Sequence, residues 1–322
     1  MLPPKDRLRI LFAHPAYRMA ERFAARATGI DHVEVRSPEA YAAALPEADV
    51  VVCSMMWRND LVPQAKRLKL VQSISAGTDQ YDREVFRRAG IRLASAAGVN
   101  AHAVAEHAMA LILALKRHLH TGRDNQARKH WRGMISDIPA REDELGGKTL
   151  LVVGLGRIGG RLARLAKAFD MHVVGVRRDP SRGAEGADAV YGHDRLHALL
   201  ATADVVALAC PLTPETTNLI DERALAAMKP AAHLVNVARG RVVDEAALVR
   251  ALEQGRLAAA GLDVTQVEPL PAASPLWSMP NVILTPHTAG ETQRYEDGVL
   301  DLLLENLGRL WRGETALANQ IV

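Results

Sequence analysis

One short stretch constrains the fold of this chain more than any other: TLLVVGLGRIGGRLA, residues 149–163. Its apolar beginning predicts a buried strand, and the residues after the turn follow a helical pattern. Between them, Gly154, Gly156 and Gly159 have the spacing G-x-G-x-x-G. In this strand–turn–helix setting the glycines let the main chain approach a ligand, and the helix N-terminus offers unpaired N–H groups. The stretch therefore predicts a site for the pyrophosphate of a dinucleotide.

The rest of the chain alternates apolar, strand-like runs with helical or turn-rich segments, which favours α/β sheets of mostly parallel strands. Near-continuous Val, Leu, Ile and Ala in the second half predicts strands buried on both faces. The 322 residues are enough for two domains. We predict an α/β protein with two doubly wound sheets, separated by a cleft. A dinucleotide-binding domain covers 100–288, and a substrate domain covers 1–99 and 289–322.

The predicted strands are LRILFAH (8–14), HVEVRS (32–37), ADVVVCS (48–54), LKLVQSIS (68–75), IRLASA (91–96), TLLVVG (149–154), HVVGV (172–176), DVVALAC (204–210), HLVNVA (233–238), AAAGLDV (258–264) and NVILTPH (281–287). A single long helical segment is predicted over 100–126, with Asn100 as its N-cap. A second amphipathic helix is predicted over 295–313 near the end of the chain.

Composition argues against several classes of protein. The sequence is 48% hydrophobic and 24% charged, as expected for a well-packed soluble chain. We expect no membrane span and no signal peptide, because no apolar run approaches about 20 residues and the N-terminus lacks an apolar core. The net charge of +3 and the dispersed arginines argue against nucleic-acid binding. Cys53 and Cys210 lie singly in apolar runs, which predicts a reducing, cytoplasmic compartment.

The residues after the next predicted strand bear on which dinucleotide binds. An acidic residue about 20 positions beyond the glycines usually binds the adenosine ribose hydroxyls. Arg177 and Arg178 stand there instead. A guanidinium binds the 2′-phosphate of NADP, and one charge-assisted hydrogen bond of about 1.5–3 kcal/mol favours NADP by about ten- to a hundredfold. We expect NADP(H) to be preferred and NAD(H) to be usable. The alternative is that both arginines are solvated and neither discriminates.

Three reactive side chains lie at or beyond the ends of predicted strands. Arg239 follows HLVNVA, Glu268 follows AAAGLDV, and His287 ends NVILTPH. Strand ends are where ligands bind in open α/β sheets. Carbonyl reduction by hydride needs a cation that holds the substrate and polarises its carbonyl, and an acid that protonates the alkoxide. Arg239 can be that cation and protonated His287 that acid, with Glu268 orienting the imidazole and favouring its charged form.

Four motifs in a shared order connect these features to one family: ELGGKTLLVVGLGRIGGRLA (144–163), NVARGRVVDEAAL (236–248), GLDVTQVEPLP (261–271) and NVILTPHTAG (281–290). The chain resembles the D-isomer-specific 2-hydroxyacid dehydrogenases over nearly its whole length. The resemblance implies a Rossmann-type cofactor domain inserted in a flavodoxin-like substrate domain. It also implies that Arg239, Glu268 and His287 are the catalytic residues, and that the reaction interconverts a 2-keto acid and the D-2-hydroxy acid.

The resemblance further implies a set of cofactor contacts. Asp263 would hold the nicotinamide carboxamide, and Arg157 and Ile158 would lie against the pyrophosphate. Further contacts are expected at Pro211, Thr217 and Ala238. NAD-using members carry Asp where this chain has Arg177, so the chain is most similar to the NADP-preferring glyoxylate/hydroxypyruvate reductase branch.

Two N-terminal stretches correspond to the segments that close over the substrate in this family, CSMMWRND (53–60) and SISAGTDQYD (73–82). The N–H groups of Ala76 and Gly77 are expected to bind a carboxylate, because a glycine turn lets the main chain approach closely. Side chains expected to contact the substrate are the apolar Met55, Met56 and Trp57, and Arg58, which would meet a second anionic group. The apolar wall predicts keto acids larger than glyoxylate. The alternatives are core packing for the methionines and a solvated loop for Arg58.

The predicted helix over 100–126 carries three residues that resemble metal ligands, His102, Glu106 and His107. Their spacing does not place all three on one helix face, and Arg239 makes a metal unnecessary for polarising the carbonyl, so we expect no metal. In the family this helix and the following loop form a dimer interface. The resemblance therefore implies a homodimer.

Three other functions remain open from the sequence. A phosphoglycerate dehydrogenase shares the motifs, but we expect it to carry an acidic residue in place of Arg177 and an additional regulatory domain. A phosphite dehydrogenase shares the three catalytic residues with a different substrate. A dinucleotide-sensing co-repressor on the same fold keeps them too, and its role is protein binding. Turnover measurements distinguish all three from a keto acid reductase.

Overall fold

The computed structural model describes residues 2–322, with Pro139 described by its backbone only. Over these residues the strands are β1 (Arg9–Ala13), β2 (Asp31–Val35), β3 (Val50–Cys53), β4 (Leu70–Ser73), β5 (Arg92–Ala94), β6 (Thr149–Val153), β7 (His172–Val176), β8 (Ala189–Tyr191), β9 (Val205–Leu208), β10 (His233–Asn236), β11 (Ala259–Leu262) and β12 (Val282–Leu284). The α-helices are α1 (Met19–Ala24), α2 (Pro38–Ala44), α3 (Arg83–Ala89), α4 (Ala101–Lys116), α5 (Leu119–Ala127), α6 (Arg157–Lys167), α7 (Leu196–Leu200), α8 (Glu222–Ala227), α9 (Glu245–Glu253) and α10 (Tyr295–Trp311). Short 3₁₀ helices lie at Lys5–Arg7, Leu45–Glu47, Asn59–Gln64, Ile138–Ala140, Pro180–Arg182, His193–Arg195, Gly240–Val242 and Pro275–Ser278.

The chain divides into two units, each built on one parallel sheet. The first unit takes in the chain up to Asn100 together with Glu291–Val322, and the second is Ala101–Gly290. The first sheet has the order β2-β1-β3-β4-β5, and the second has the order β12-β11-β10-β9-β6-β7-β8. Every pair of neighbouring strands is parallel. These are the two doubly wound orders, so the predicted fold class is confirmed.

The sheet of the second unit is buried on both faces, as the apolar strands predict. In β6, Leu151 and Val153 belong to one core cluster, whereas Leu150 and Val152 belong to another. Successive side chains of a strand point to opposite faces, so each face of the sheet has its own core. The edge strands β8 and β12 are less buried than the central strands. Burial is therefore deepest in the strands that end near the glycine-rich turn.

Two local features differ from the sequence prediction. The helix predicted over 100–126 is broken, because His118 adopts a left-handed conformation with φ of +49° between α4 and α5. Asn100 stands at the predicted N-cap position, directly before α4, but its side chain does not cap the helix, since its buried Oδ1 has no hydrogen-bond partner within residues 2–322. The edge strand β8 was not predicted; at three half-exposed residues it is too short to give a periodic signal.

Parallel strands end together, and this brings the loops of the second unit to one edge of its sheet. The loops after β6, β9, β10, β11 and β12 all leave from this edge. Short polar caps begin the helices beyond two of these loops: the carboxylate of Asp221 accepts from the N–H of Ala224 before α8, and that of Asp244 from the N–H of Ala247 before α9. These caps fix where each loop turns back into a helix.

Candidate active site

The glycine-rich turn lies between β6 and α6. Gly154 has φ of +100°, a conformation that side chains rarely adopt, and a Cβ on it would lie 2.5 Å from the backbone nitrogen of Cys210. A Cβ on Gly159 would lie 2.2 Å from the carbonyl oxygen of Gly154. A side chain at either position would push the turn away from its neighbours, so glycine is required at both.

The same turn leaves room on its outer side. A Cβ on Gly156 would meet no atom within 4 Å, and α6 begins at the next residue. The N–H groups of Arg157, Ile158 and Gly159 belong to the first helical turn, where no intrahelical acceptor exists. Ile158 packs on the core beneath, while Arg157 is exposed. An open glycine before a row of such N–H groups fits the pyrophosphate of a dinucleotide.

Arg177 and Arg178 directly follow β7. The Arg177 N–H continues the sheet by donating to the carbonyl of Tyr191 (3.0 Å), and its Nη1 donates to the carbonyl of Gly183 (3.0 Å). Arg178 is exposed, and its charge reaches the loop after β9: the hydrogen bond with Thr213 lowers the pKa of Glu215, and Arg178 lowers it further. Two guanidinium groups therefore come directly after the end of β7.

The other predicted cofactor contacts follow β9 and β10, at the same edge of the sheet as the glycine-rich turn; they are Pro211, Thr217 and Ala238. Pro211 directly follows the cysteine against which Gly154 packs. The Thr217 hydroxyl donates to the carbonyl of Thr213 (2.8 Å), within its own turn. Ala238 is buried, and its N–H donates to Asn236 Oδ1 (3.0 Å).

Arg239 lies in a turn that Asn236 closes. Asn236 Nδ2 donates to the Arg239 carbonyl (3.0 Å), and Arg239 Nη1 donates to the Ala238 carbonyl (2.8 Å). The next residue, Gly240, is packed so closely that a Cβ on it would lie 1.9 Å from the carbonyl oxygen of Thr265. The Arg239 turn therefore lies directly against the start of the loop that carries Glu268.

Glu268 and His287 form a hydrogen-bonded pair. His287 Nδ1 donates to Glu268 Oε2 over 2.7 Å, and Glu268 Oε1 accepts from the Thr265 N–H over 3.1 Å. The side chain of Glu268 is 38% exposed and that of His287 45%, so both remain open to solvent. A second carboxylate secures the loop, because the Gln266 N–H donates to Glu245 Oε2 over 2.7 Å.

The environment keeps the Glu268 carboxyl ionised. Partial burial alone would raise its pKa, but the hydrogen bond and charge of His287, the N–H of Thr265 and the charge of Arg239 outweigh this effect. The pKa of Glu268 is therefore lowered from its ordinary value. The charge of Arg239 acts on the same carboxylate that accepts from His287, so the structure brings the three predicted side chains together.

The backbone at His287 is strained. Its φ of +57° lies in the left-handed region, and its N–H donates to the carbonyl of Asp263 (2.8 Å). The Asp263 side chain is 2% exposed, and its carboxylate accepts from the N–H groups of Thr288 (2.9 Å) and Ala289 (3.1 Å) and from the hydroxyl of Thr285 (2.7 Å). Non-glycine residues hold such a conformation only when their surroundings enforce it. Asp263 therefore shapes the loop that presents the imidazole.

The predicted substrate residues lie in the first unit, and the interpretation of two of them is wrong. Met56 and Trp57 are buried in the core of that unit, where the Trp57 ring packs 4.9 Å from that of Phe86. At 8% and 6% exposure they offer little surface for a wall against a ligand. Met55 is exposed instead. The expectation of larger keto acids loses its basis with the wall.

The two predicted anion contacts of the first unit, the Arg58 side chain and the N–H groups of Ala76 and Gly77, differ in whether they already have partners. The guanidinium of Arg58 is already paired with the carboxylate of Asp60 through two hydrogen bonds, so its assignment to a second anionic group is not supported. Ala76 and Gly77 follow β4 in a half-buried loop, and within residues 2–322 their N–H groups donate no hydrogen bond that the structure records. Unpaired main-chain donors of this kind suit a carboxylate.

The described part of the chain shows neither a reactive thiol nor a cluster of metal ligands. Burial raises the pKa of Cys53 to about 12 and that of Cys210 to about 11, so neither is a thiolate near neutral pH. Residues 2–322 contain no group of three or more His, Cys, Asp or Glu side chains placed to hold a metal ion.

Comparison with known proteins agrees with this geometry. A sequence model described as "D-isomer specific 2-hydroxyacid dehydrogenase, NAD binding domain" matches residues 109–289. The chain is 39% identical over 276 residues to the glyoxylate reductase of Pyrococcus furiosus, covering 83% of this chain and 81% of that protein. This chain is a D-isomer-specific 2-hydroxyacid dehydrogenase family member. The predicted resemblance is thereby confirmed.

A second curated relative and a solved structure are also similar to this 2-hydroxyacid dehydrogenase family member. The D-3-phosphoglycerate dehydrogenase of Methanocaldococcus jannaschii is 33% identical over 314 residues, 96% of this chain and 58% of that protein. The crystal structure of the TT0316 protein from Thermus thermophilus superposes with a TM-score of 0.84 at 34% identity, covering 98% of this chain and 100% of that one. Membership supports an oxidoreductase that acts on a 2-hydroxy or 2-keto acid and binds a nicotinamide dinucleotide.

Sequence reasoning missed the residues that support the dehydrogenase site. Glu245 holds the Glu268 loop, Asn236 closes the Arg239 turn, and Thr285 hydrogen-bonds to Asp263. Glu245 directly follows a helix-capping aspartate, so it resembles an ordinary first-turn acid. Only Thr285 gave a signal, since it lies two residues before His287 in the run NVILTPH that the sequence predicts as a strand, although β12 ends at Leu284. Within residues 2–322 no helix has the length and apolarity of a membrane span.

Proposed function

We propose that this protein reduces a 2-keto acid to the D-2-hydroxy acid with NADPH, reversibly. The observation that carries the proposal is the 2.7 Å hydrogen bond between His287 and Glu268, beside a third charge from Arg239. All three follow strands of the same sheet as the glycine-rich turn, and ligands bind at that edge in open α/β folds.

The roles of the three residues follow from their donors and charges. When bound, the reduced nicotinamide supplies a hydride to the carbonyl carbon. The Arg239 guanidinium binds the substrate carboxylate and polarises the carbonyl oxygen. His287 donates its Nδ1–H to Glu268, which leaves its Nε2–H to supply the one proton that the carbonyl oxygen takes up. The ionised Glu268 holds the ring in place and puts a negative charge beside it.

The preference for NADPH rests on Arg177 and Arg178. Two guanidinium groups stand where an acidic residue would select NAD, and each can form charge-assisted hydrogen bonds to a 2′-phosphate. Arg177 uses Nη1 for the Gly183 carbonyl, which braces the side chain and leaves its other N–H groups available to a phosphate. NAD(H) remains usable, because the pyrophosphate site does not depend on these residues.

A panel of keto acids assayed with NADPH and with NADH tests both parts of the proposal. We expect turnover with at least one 2-keto acid and a kcat/KM about ten- to a hundredfold higher with NADPH. Arg177→Asp should reverse this ratio, while Arg223→Asp on α8 makes the same charge change and should preserve it. Absence of turnover with every keto acid would contradict the function, and an unchanged ratio in Arg177→Asp would contradict the cofactor assignment.

Oxidation of 3-phosphoglycerate is the second candidate, because a phosphoglycerate dehydrogenase matches 96% of the chain. The structure argues against it at one point. Arg58, the side chain expected to meet a second anionic group, is paired with Asp60. We therefore favour an unphosphorylated keto acid, and the N–H groups of Ala76 and Gly77 stay the main-chain donors proposed for its carboxylate. Turnover of 3-phosphoglycerate exceeding that of every keto acid would reverse this preference.

We also propose a homodimer in the cytoplasm, where the two buried free thiols would remain reduced. The loop after α5 exposes three large apolar side chains, Trp131 (97%), Met134 and Ile138. A cluster of this kind marks an association surface, and a second copy of the chain is the partner we assign to it. Light scattering should give twice the mass of the chain, and Trp131→Asp should give the monomer. A monomeric wild-type protein would contradict the assignment.

A further inference from the structure

His107 lies on α4 and has no role in the proposed function. Its side chain is 24% exposed, and its Nε2 lies 2.9 Å from Thr285 Oγ1 and 3.6 Å from Asp263 Oδ1. It contacts neither Glu268 nor His287 through any hydrogen bond in the described structure. His107 therefore reaches the network that shapes the His287 loop without reaching the imidazole itself.

The packing of α4 explains how His107 reaches this position. Leu111 and Leu115 lie one and two turns further along the same helix face. Both press on β11 at Gly261, where a Cβ would lie 3.1 Å from Leu111 Cβ and 3.4 Å from Leu115 Cδ1. The close approach at Gly261 brings His107 to the end of the strand, where Asp263 begins the loop.

The direction of the hydrogen bonds follows from the chemistry of the groups. A carboxylate only accepts, so the Thr285 hydroxyl donates its proton to Asp263 over 2.7 Å. The Thr285 oxygen then has lone pairs left and accepts from His107 Nε2–H. Without that donor the hydroxyl can rotate, and the carboxylate loses the fixed partner that complements its bonds to Thr288 and Ala289.

We propose that His107 is a positioning residue for His287, acting through Thr285 and Asp263. The Asp263 carbonyl and carboxylate together enforce the left-handed backbone at His287, whose φ is +57°. The relay His107–Thr285–Asp263 fixes the carboxylate, and the carboxylate fixes the main chain on the C-terminal side of the imidazole. Its consequence for turnover rests on the proposed function, whereas its consequence for the position of the imidazole does not.

The decisive measurement observes the His287 ring directly. In protein labelled with ¹⁵N-histidine, His287→Asn identifies the signals of His287, and Nδ1 reports its hydrogen bond to Glu268. His107→Phe, which removes the donor at similar volume, should shift or broaden that Nδ1 signal. His102→Phe changes an exposed residue of the same helix and should leave it unmoved. An unmoved signal in His107→Phe, with the protein folded, would overturn the proposal.

Kinetics distinguishes positioning from a structural role. His107→Phe should lower kcat about tenfold, because misplaced catalytic groups lose rate steeply. His107→Gln, whose amide also donates, should recover most of the loss. Thr285→Val should equal His107→Phe, and the double variant should cost no more than either single one. Additive losses, or no rescue by Gln, would contradict the relay; a wild-type protein without turnover would contradict the proposed function but leave the ring measurement informative.

Discussion

The carboxyl edges of the two sheets differ in the residues that come directly after their strands. After β10, β11 and β12 of the second unit, charged side chains are held by hydrogen bonds and kept open to solvent, as in the 2.7 Å pair of Glu268 and His287. After β3 of the first unit, Met56 and Trp57 turn back into the core, and Arg58 is paired with its neighbour Asp60. The edge of the second unit's sheet therefore offers charged side chains to a ligand. The edge of the first unit's sheet offers the main-chain N–H groups of the loop after β4.

The difference has a simple physical origin. Burying a large aromatic side chain contributes about 1.5–3 kcal/mol or more, so an apolar residue near a strand end packs inward whenever space exists. An ionisable side chain in the same place stays outside unless it is paired. Motifs made of charged residues therefore identify the functional edge more reliably than motifs made of apolar ones.

The largest expected effects come from the charged edge. Arg239→Lys keeps the charge but removes the planar fork that binds a carboxylate and a carbonyl oxygen together. We expect kcat/KM for the keto acid to fall about 10²- to 10³-fold, with NADPH binding unchanged. Arg241→Lys, two residues along the same turn and exposed, is the matched control. Equal losses in both variants would remove Arg239 from its assigned role.

Glu268→Gln tests the electrostatic part of the same edge. The amide keeps an acceptor for His287 but loses the charge, and we expect kcat to fall about ten- to a hundredfold. Because the pKa of Glu268 is lowered, the wild-type carboxylate is ionised throughout the range from about pH 6 to 8. The ratio of wild-type to variant kcat should therefore stay well above unity over that range. A ratio of unity throughout would contradict the electrostatic role of Glu268.

Trp57→Ala tests the first edge through stability. A buried Trp cut to Ala leaves a cavity, and we expect a loss of about 3–5 kcal/mol in unfolding free energy. The KM of the folded fraction for the keto acid should stay within about twofold. Circular dichroism melting and kinetics on the same sample separate the two outcomes. A large rise in KM without a change in melting would restore Trp57 as a substrate contact.

The smallest effect is expected at Arg58. Its pair with Asp60 is exposed on both sides, and such pairs contribute about 0–1 kcal/mol. Arg58→Ala should change neither the melting temperature by more than about 2 °C nor KM by more than about twofold. Saturation curves with a keto acid carrying a second carboxylate are the sensitive check. A KM that rises only for that substrate would make Arg58 an anion contact after all.

The fold could be predicted from patterns among residues that are close together in the sequence. Apolar strands, the glycine spacing at Gly154 and the alternation of elements are local, and so they could be recognised one after another along the chain. The position of the catalytic pair followed from the shared edge of parallel strands, although Glu268 and His287 are 19 residues apart. The supporting contacts could not be predicted in the same way. The side chains of Glu245 and His107 reach their loops through packing that depends on the folded sheet.

One measurement tests the central claim most directly: a single turnover of enzyme-bound NADPH with a keto acid in wild type and in His287→Asn. If the imidazole held by Glu268 is the proton donor, the variant binds NADPH as tightly as wild type, yet its reduced cofactor is consumed about 10²- to 10⁴-fold more slowly. Consumption at the wild-type rate in the variant would show that the proton comes from elsewhere. The pair at the edge of the second sheet would then have a structural role only.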